Sequence, residues 1–331
     1  MLRFGTIGSG WIVDEYIHGA KDSGLWELTA VYSRTEERAK AYAEKHGAKH
    51  VFTDLKEMAA SEEIDAVYIA SPNALHYEQS KLFLEQGKHV ICEKPLCAQA
   101  DKVAELQKIA KERGVIFLEA IMFLHLPQRK ILEQAISELG KITLVKLDFC
   151  QRSSKLDGYL NGSLPNIFNP ALETGALMDL GVYCVYPALA LFGEPESFTI
   201  DPFMLKSGAD GAGIITLRYA DKLVTLTYSK LGQAGANSDF QGTDGTLSVE
   251  SISRVAGLSL WRKDGTVEQL FGDEEKYKLM GWEAKDFYRY ITQPEASAQE
   301  YALCGQLSFQ VASFMEKARK QAGIYFASDQ E

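Results

Sequence analysis

Residues 2–13 read Leu-Arg-Phe-Gly-Thr-Ile-Gly-Ser-Gly-Trp-Ile-Val and decide the fold of the first part of the chain. Leu2–Ile7 predicts a strand, Gly8-Ser9-Gly10 a turn, and the residues from Trp11 to about Asp22 a helix. Glycines in such a turn let the backbone approach a pyrophosphate, whose charge is stabilised at the positive end of the helix. With Trp11 and Ile12, the three turn residues form a candidate dinucleotide-binding segment. Many strand–turn–helix junctions hold two glycines and bind no ligand, so the surrounding pattern matters.

That pattern is a short-period alternation of strands and helices over the first 120 residues, which predicts a parallel sheet. After Leu124 the pattern changes, and repeated β-type runs between Ser197 and Phe271 predict a mostly antiparallel sheet. Two helices are expected to end the chain. We therefore predict an α/β protein with a dinucleotide-binding domain over 1–123 and a substrate and dimerisation domain over 124–331.

Residues 86–96, Gln-Gly-Lys-His-Val-Ile-Cys-Glu-Lys-Pro-Leu, are the most informative run for function. The strand His89–Cys92 ends in Glu93-Lys94-Pro95, which sets an ammonium where open α/β sheets bind their ligands. Pro95 cannot continue the strand. Lys94 can donate to a substrate hydroxyl and lower the pKa of an adjacent proton acceptor, and Glu93 can orient Lys94 or the cofactor amide.

Two further segments follow predicted strands. Ser71-Pro72-Asn73, with His76 three residues on, is expected to lie along the path of the cofactor; for His76, a purely local role at a helix start is the alternative. Ser33-Arg34 ends the second strand, where an acid normally holds the adenosine ribose, and Arg38 lies one helical turn further on. A hydroxyl and guanidinium groups there favour NADP(H) over NAD(H), unless Arg34 is simply a solvated arginine.

An acid and a phenol occur together in the second half of the chain. In Gly175-Ala-Leu-Met-Asp-Leu-Gly-Val-Tyr183, the side chains of Asp179 and Tyr183 are four residues apart on one face of an otherwise apolar predicted helix. A carboxylate in such a stretch needs a partner, and Lys94 is the obvious one if the domains close on one another. The alternative is a locally paired acid and a core tyrosine.

Composition excludes several classes of function. The net charge of −10 and the lack of basic runs argue against nucleic-acid binding. We find no signal peptide and no apolar run near the ~18 residues that a membrane span needs, which predicts a cytoplasmic protein. The five cysteines are scattered without metal-binding spacing, so no metal site is expected.

Taken together, these motifs resemble the glucose–fructose oxidoreductase / inositol dehydrogenase (Gfo/Idh/MocA) family. The resemblance covers essentially the whole chain and implies an N-terminal Rossmann domain and a C-terminal domain with a large open sheet. Many members carry histidine where this chain has Tyr183, and the tyrosine variant resembles dimeric dihydrodiol dehydrogenases and NADP-dependent xylose dehydrogenases. The resemblance implies Lys94 and Tyr183 as the catalytic pair and Asp179 as a supporting residue. It also implies hydride transfer between a nicotinamide cofactor and a sugar, polyol or dihydrodiol. NADP(H) is the expected cofactor, and NAD(H) is the alternative.

Two other functions fit the same fold. One is a dinucleotide-binding regulator without turnover, which has no need of Lys94, Asp179 and Tyr183; the other is an imine or double-bond reductase, which has no need of the Lys–Tyr pair. The predicted antiparallel sheet, with apolar residues at alternate positions such as Val145, Leu147 and Phe149, is expected to leave an apolar face that forms a homodimer. The choice between dimer and tetramer stays open.

Overall fold

A computed structural model describes residues 1–330, and its first six strands form one parallel sheet, as predicted. The strands are β1 (Leu2–Ile7), β2 (Trp26–Tyr32), β3 (His50–Phe52), β4 (Ala66–Ile69), β5 (His89–Glu93) and β6 (Phe117–Ala120). Their order is β3-β2-β1-β4-β5-β6, so the strand order reverses between β1 and β4. Open α/β sheets bind their ligands at the carboxyl ends of the strands beside such a reversal.

The second sheet has eight strands and is mostly antiparallel, with β7 and β10 as a parallel pair. It consists of β7 (Ile142–Cys150), β8 (Ser197–Met204), β9 (Asp210–Arg218), β10 (Leu223–Ser229), β11 (Ser238–Gly242), β12 (Gly245–Ser251), β13 (Ala256–Arg262) and β14 (Val267–Phe271). The order is β14-β13-β12-β11-β7-β10-β9-β8. The predicted fold class is thus confirmed. The β-type runs predicted from the sequence after Ser197 are 197–206, 212–219, 222–230, 247–251, 256–262 and 266–271, so β11 is a strand that they do not include.

The helices alternate with the strands of the first sheet and are fewer beside the second. They are α1 (Trp11–Asp22), α2 (Glu36–His46), α3 (Leu55–Ala60), α4 (His76–Glu85), α5 (Ala100–Arg113), α6 (Gln128–Ser137), α7 (Leu156–Leu160), α8 (Val182–Phe192), α9 (Lys276–Thr292) and α10 (Pro294–Gln321). Leu177–Gly181, directly before α8, forms a π-helical turn. The apolar pattern predicts one continuous α-helix over about 175–192, and the structure differs in the first part of this range, where the π-helical turn lies.

By packing, the chain divides into two compact units. The first contains residues 1–125 and 275–309, and the second contains residues 126–274 and those from 310 onward. Helix α9 joins the first unit because it packs against α1: a Cβ on Gly19 would lie 2.3 Å from the carbonyl oxygen of Tyr277. The indole nitrogen of Trp26 also donates to the carbonyl of Ala284 at 2.8 Å. The domain limits 1–123 and 124–331 stay a prediction.

Residues 170–192 form a longer apolar stretch than the sequence analysis expected. Residues 170–192 are long and apolar enough to cross a membrane by length and composition alone, although no such run was expected. In the structure 72% of the qualifying window is buried, so the stretch has the character of a core helix. Burial inside the protein explains its apolar composition without a membrane.

Candidate active site

The carboxyl ends of β1, β4 and β5 lie side by side in the first unit. Ile7 pairs with Ile69, which in turn pairs with Cys92. The residues that follow these strands therefore share one edge of the sheet, at the reversal of strand order. They are the glycine turn, the loop after β4 and the Glu93-Lys94 pair, so the structure brings three predicted segments together.

The glycine turn can accept a dinucleotide phosphate. Gly8 has φ +119°, and a Cβ there would lie 2.6 Å from the carbonyl oxygen of Ala70, so this position requires glycine. Gly10 is the N-cap of α1, and no side chain of its own caps the helix. Among the described residues, no atom lies within 4 Å of a Cβ placed on Gly10. Open space before a helix N-terminus is what a phosphate needs. Trp11 is 68% exposed beside it and Ile12 is half-buried.

Ser33, Arg34 and Arg38 lie beyond the end of β2. Ser33 is half-buried, and both arginines are exposed. Neither guanidinium has a hydrogen bond or an ion pair to another described residue in the structure. Charged donors without a protein partner at this strand end are suited to an anionic group such as a 2′-phosphate.

The loop after β4 is held by His76, which is 1% exposed. Its Nδ1 lies 2.9 Å from the carbonyl oxygen of Pro95, and its Nε2 lies 2.9 Å from that of Ser71. His76 thus ties the loop after β4 to the loop after β5, and burial lowers its pKa. Asn73, after Pro72, begins a short 3₁₀ turn in this loop. The contacts of His76 give it a positioning role, and cofactor contact by this segment stays a prediction.

Glu93 and Lys94 end β5, and both are partly exposed after three buried strand residues. The hydroxyl of Tyr68 donates to Oε1 of Glu93 at 2.5 Å, and the ring of Tyr68 stacks on Tyr16 at 3.9 Å. Burial raises the pKa of Glu93, while the charge of Lys94 and the Tyr68 hydrogen bond oppose that rise. The carboxylate and the ammonium at this strand end therefore stabilise each other's charge.

Glu283 of α9 is an acid that the sequence analysis missed. It is 1% exposed, and neither carboxyl oxygen has a hydrogen-bond partner among the described residues. Burial raises its pKa well above the ordinary value, and the charge of Glu93 raises it further, with Lys276 opposing. Two acids that interact in a buried site favour one shared negative charge, so Glu283 is held as the neutral acid and Glu93 as the more ionised one.

In the second unit, Asp179 and Tyr183 are partly exposed within a segment that is otherwise buried. Of residues 173–189, fifteen are buried, and the two that are partly exposed are Asp179 and Tyr183. The π-helical turn contains Asp179, and such turns are frequent at functional sites. The ring of Phe149 packs edge-on against Tyr183 at 5.2 Å. The predicted acid and phenol therefore do share one accessible face.

The carboxylate of Asp179 is paired within its own unit by Lys230, a residue the sequence analysis missed. Lys94, which was expected as the partner, lies in the first unit, and its pairing with Asp179 stays a prediction. Close by, Asp210 is fully buried, and its Oδ2 accepts a hydrogen bond from the backbone N–H of Leu177 at 2.6 Å. Burial raises the pKa of Asp210 to about 6, although the charge of Lys230 lowers it. Two acids and one lysine thus surround the first turn of the segment that carries Tyr183.

Metal and thiol chemistry have little support in this structure. Among residues 1–330, no group of three or more histidine, cysteine, aspartate or glutamate side chains is arranged to hold a metal ion. The cysteines are free thiols, and those at positions 92, 97 and 184 are buried. Burial raises the pKa of the Cys92 and Cys184 thiols, which disfavours the reactive thiolate.

Comparisons with known proteins cover both units. The model of the GFO/IDH/MocA oxidoreductase family, NAD-binding Rossmann fold, matches residues 2–120, and that of the GFO/IDH/MocA C-terminal domain matches 130–248. The scyllo-inositol 2-dehydrogenase (NADP(+)) of Bacillus subtilis is 41% identical over 330 residues, with all of both chains covered. A trans-1,2-dihydrobenzene-1,2-diol dehydrogenase of Danio rerio is 25% identical over 346 residues, covering 100% of this chain and 99% of its own.

Solved structures show the same fold. The 3-ketoreductase KijD10 of Actinomadura kijaniata, in complex with NADP and TDP-benzene, superposes with a TM-score of 0.84. The two proteins are 24% identical, and 97% of each chain is covered. At that identity the likeness establishes the arrangement of strands and helices and leaves the substrate undetermined.

Proposed function

Since the chain belongs to the GFO/IDH/MocA oxidoreductase family, we propose that it transfers a hydride between NADP(H) and a secondary alcohol or carbonyl of a sugar, polyol or dihydrodiol. The observation that carries the proposal is the pair of accessible side chains, Asp179 and Tyr183, in an otherwise buried segment. A phenol can exchange the proton of a substrate hydroxyl, and a neighbouring carboxylate can orient the groups around it. The family membership predicted from the sequence is confirmed by the two family models and by the Bacillus relative.

The cofactor preference rests on the end of β2. Arg34 and Arg38 are exposed, and Ser33 follows β2 at the position where an acid would repel a 2′-phosphate. The glycine turn before α1 holds the phosphates through backbone N–H groups, and the 71–76 loop borders the same edge. The Bacillus relative is named as NADP(+)-dependent, which supports NADP(H) as the preferred cofactor here, with NAD(H) as the weaker alternative.

Each polar residue then has a defined role. The bound nicotinamide supplies or accepts the hydride. Tyr183 takes the proton from the substrate hydroxyl during oxidation and returns it during reduction. A free phenol with a pKa near 10 is a poor base at neutral pH, so the ammonium of Lys94 is needed to favour the phenolate. Asp179 orients its neighbours and does not transfer the proton.

The test is a turnover screen with purified protein. We expect NADP(+) reduction with one or more inositols, aldoses or dihydrodiols, followed by absorbance of the reduced cofactor and by mass spectrometry of the substrate. Tight NADPH binding without turnover on any of these compounds would instead indicate a regulator. Turnover confined to imines or activated double bonds would indicate the other reductase class.

We also propose a homodimer formed through the open face of the eight-stranded sheet. On β9, Ile215 and Leu217 are buried, whereas Ile214, which points to the opposite face of the sheet, is 51% exposed. Phe203 on β8 is 62% exposed. Val145 and Leu147 do not contribute, because both are buried within the protomer, which corrects the residues first assigned to this face. Light scattering should give twice the chain mass, and a monomer at micromolar concentration would contradict the proposal.

The remaining partners follow from composition. With a net charge of −10, we propose that the protein binds small molecules and neither nucleic acid nor a membrane surface. The apolar stretch at 170–192 is mostly buried and leaves little to insert in lipid. We propose a cytoplasmic location, which fractionation of cells expressing the tagged chain would test.

A further inference from the structure

Lys230 occupies an unusual position for a lysine. It follows β10, where Val224, Leu226 and Tyr228 point into the core, and the same alternation directs Lys230 inward. Its backbone N–H donates to the carbonyl of Gly211 at 2.8 Å, and its carbonyl accepts from the N–H of Ser153 at 2.9 Å. The main chain at this point is therefore fixed on both sides, and the side chain has little freedom to turn outward.

The ammonium of Lys230 is buried with a single protein acceptor. Its side chain is 3% exposed, whereas that of its partner Asp179 is 37% exposed. Within the part of the chain that the structure describes, Asp179 Oδ2 is the one hydrogen-bond acceptor of this ammonium. The ring of Phe168 lies 5.9 Å from the nitrogen and covers another side. A buried cation must be paired to be tolerated, so the charge of Lys230 depends on Asp179.

The Lys230–Asp179 ion pair lies next to the turn that leads to Tyr183, the proposed proton-transferring residue. Asp179 sits in the π-helical turn that leads into α8, four residues before Tyr183, and Asp210 clamps the same turn through the N–H of Leu177. The ion pair with Lys230 holds the Asp179 carboxylate toward the sheet, on the accessible face that it shares with Tyr183. Loss of this ion pair would widen the range of rotamers open to the carboxylate.

We propose that Lys230 is a positioning residue of this enzyme, which holds the Asp179 carboxylate in place beside Tyr183. The proposal rests on the proposed dehydrogenase function. It adds a lysine of the second unit to the residues that act on Asp179, beside the role proposed for Lys94 at the phenol. A site whose groups must be placed within a fraction of an ångström loses turnover when such a support is removed.

The experiment compares Lys230→Met, Asp179→Asn and the double variant in the full-length protein. Each single change should lower kcat about 10- to 100-fold and leave the dissociation constant of NADPH within about twofold, because the cofactor binds the other unit. The double variant should be no slower than the slower single variant, because both changes remove one interaction. Lys230→Arg, which keeps the charge, should recover part of the lost kcat.

Lys146→Met is the matched control. Lys146 lies on β7 of the same sheet, is 48% exposed, and has its nearest carboxylate, that of Asp239, at 3.8 Å. Its replacement should leave kcat unchanged. A kcat for Lys230→Met within about threefold of the parent, or losses that multiply in the double variant, would overturn the proposal.

Urea unfolding of the same variants distinguishes a failure of the proposed function from a failure of the positioning role of Lys230. If the parent protein shows no turnover on any compound of the screen, the proposed function fails, and the positioning role fails with it. Coupling between Lys230→Met and Asp179→Asn in the unfolding midpoints would then still report the ion pair as a structural element. If the parent turns over and Lys230→Met only lowers stability, with unchanged kcat per folded molecule, the function stands and the positioning role is refuted.

Discussion

The burial of Asp210 predicts how strongly the free energy of unfolding should depend on pH. This carboxyl is fully buried, one oxygen accepts the Leu177 N–H, and the other has no hydrogen-bond partner among the described residues. Burial raises its pKa from 3.8 to about 6. At 1.36 kcal/mol per pKa unit, ionised Asp210 costs the folded state about 3 kcal/mol relative to the protonated form.

The direction of the pH dependence follows from the raised pKa. Because the folded state binds this proton more tightly than the unfolded state, protonation of Asp210 stabilises the fold fully below about pH 4. That stabilisation is lost as the pH rises through about 6. Between pH 8 and pH 5, the linkage relation gives a gain of about 1.4 kcal/mol in the free energy of unfolding from this one group.

Asp210→Asn removes the titration and keeps an acceptor for Leu177. We measure the free energy of unfolding of parent and variant by urea at pH 5 and at pH 8. The value for the parent minus that for the variant should be about 1.4 kcal/mol larger at pH 5 than at pH 8. All other titrating groups are common to both proteins and cancel. Asp201→Asn, at an exposed position of β8, controls for the loss of a charge elsewhere on the sheet. A difference that is the same at both pH values would refute the reasoning.

The remaining predictions concern the cofactor edge. Arg34→Ala should weaken NADPH binding about 10- to 100-fold and leave NADH binding nearly unchanged, since an arginine–phosphate contact contributes about 1.5–3 kcal/mol. Lys40→Ala, at an exposed position of α2, is the control, and calorimetry that found equal losses for both cofactors would contradict the assignment. Gly8→Ala should lower the free energy of unfolding by about 1–2 kcal/mol, because its backbone has φ +119° and its Cβ would meet Ala70. Gly10→Ala should leave stability nearly unchanged and weaken dinucleotide binding; a loss of stability as large as that of Gly8→Ala would show that the space before α1 is not open.

Much of the first unit could be predicted because its signals are local. The glycine turn and the Glu93-Lys94 pair each follow a short apolar strand directly, and parallel pairing brings those strand ends to one edge. In the second sheet, β11 was missed because Ser-Asp-Phe-Gln-Gly is a poor strand by propensity. It forms a strand because β7 and β12 pair with it on both sides.

Of the two missed site residues, Lys230 has a partner that is distant in sequence. Lys230 and Asp179 are 51 residues apart, so no local pattern joins them. The signal that could have found Lys230 is its place in the inward-facing series of β10. Glu283 similarly falls on the buried stripe of α9 with Leu279, Ala284 and Phe287. A charged residue on an apolar stripe is expensive to bury, and both departures from the pattern lie at the candidate site.

The central claim, that Tyr183 transfers the proton and Lys94 activates it, is tested most directly by the turnover of Tyr183→Phe and Lys94→Met. On any substrate that the parent accepts, each variant should be slower by about two to four orders of magnitude, while NADPH binding measured by fluorescence changes far less. Near-normal turnover of Tyr183→Phe beside an inactive Lys94→Met would contradict the claim, and would place the proton on Lys94 or on a nearby water.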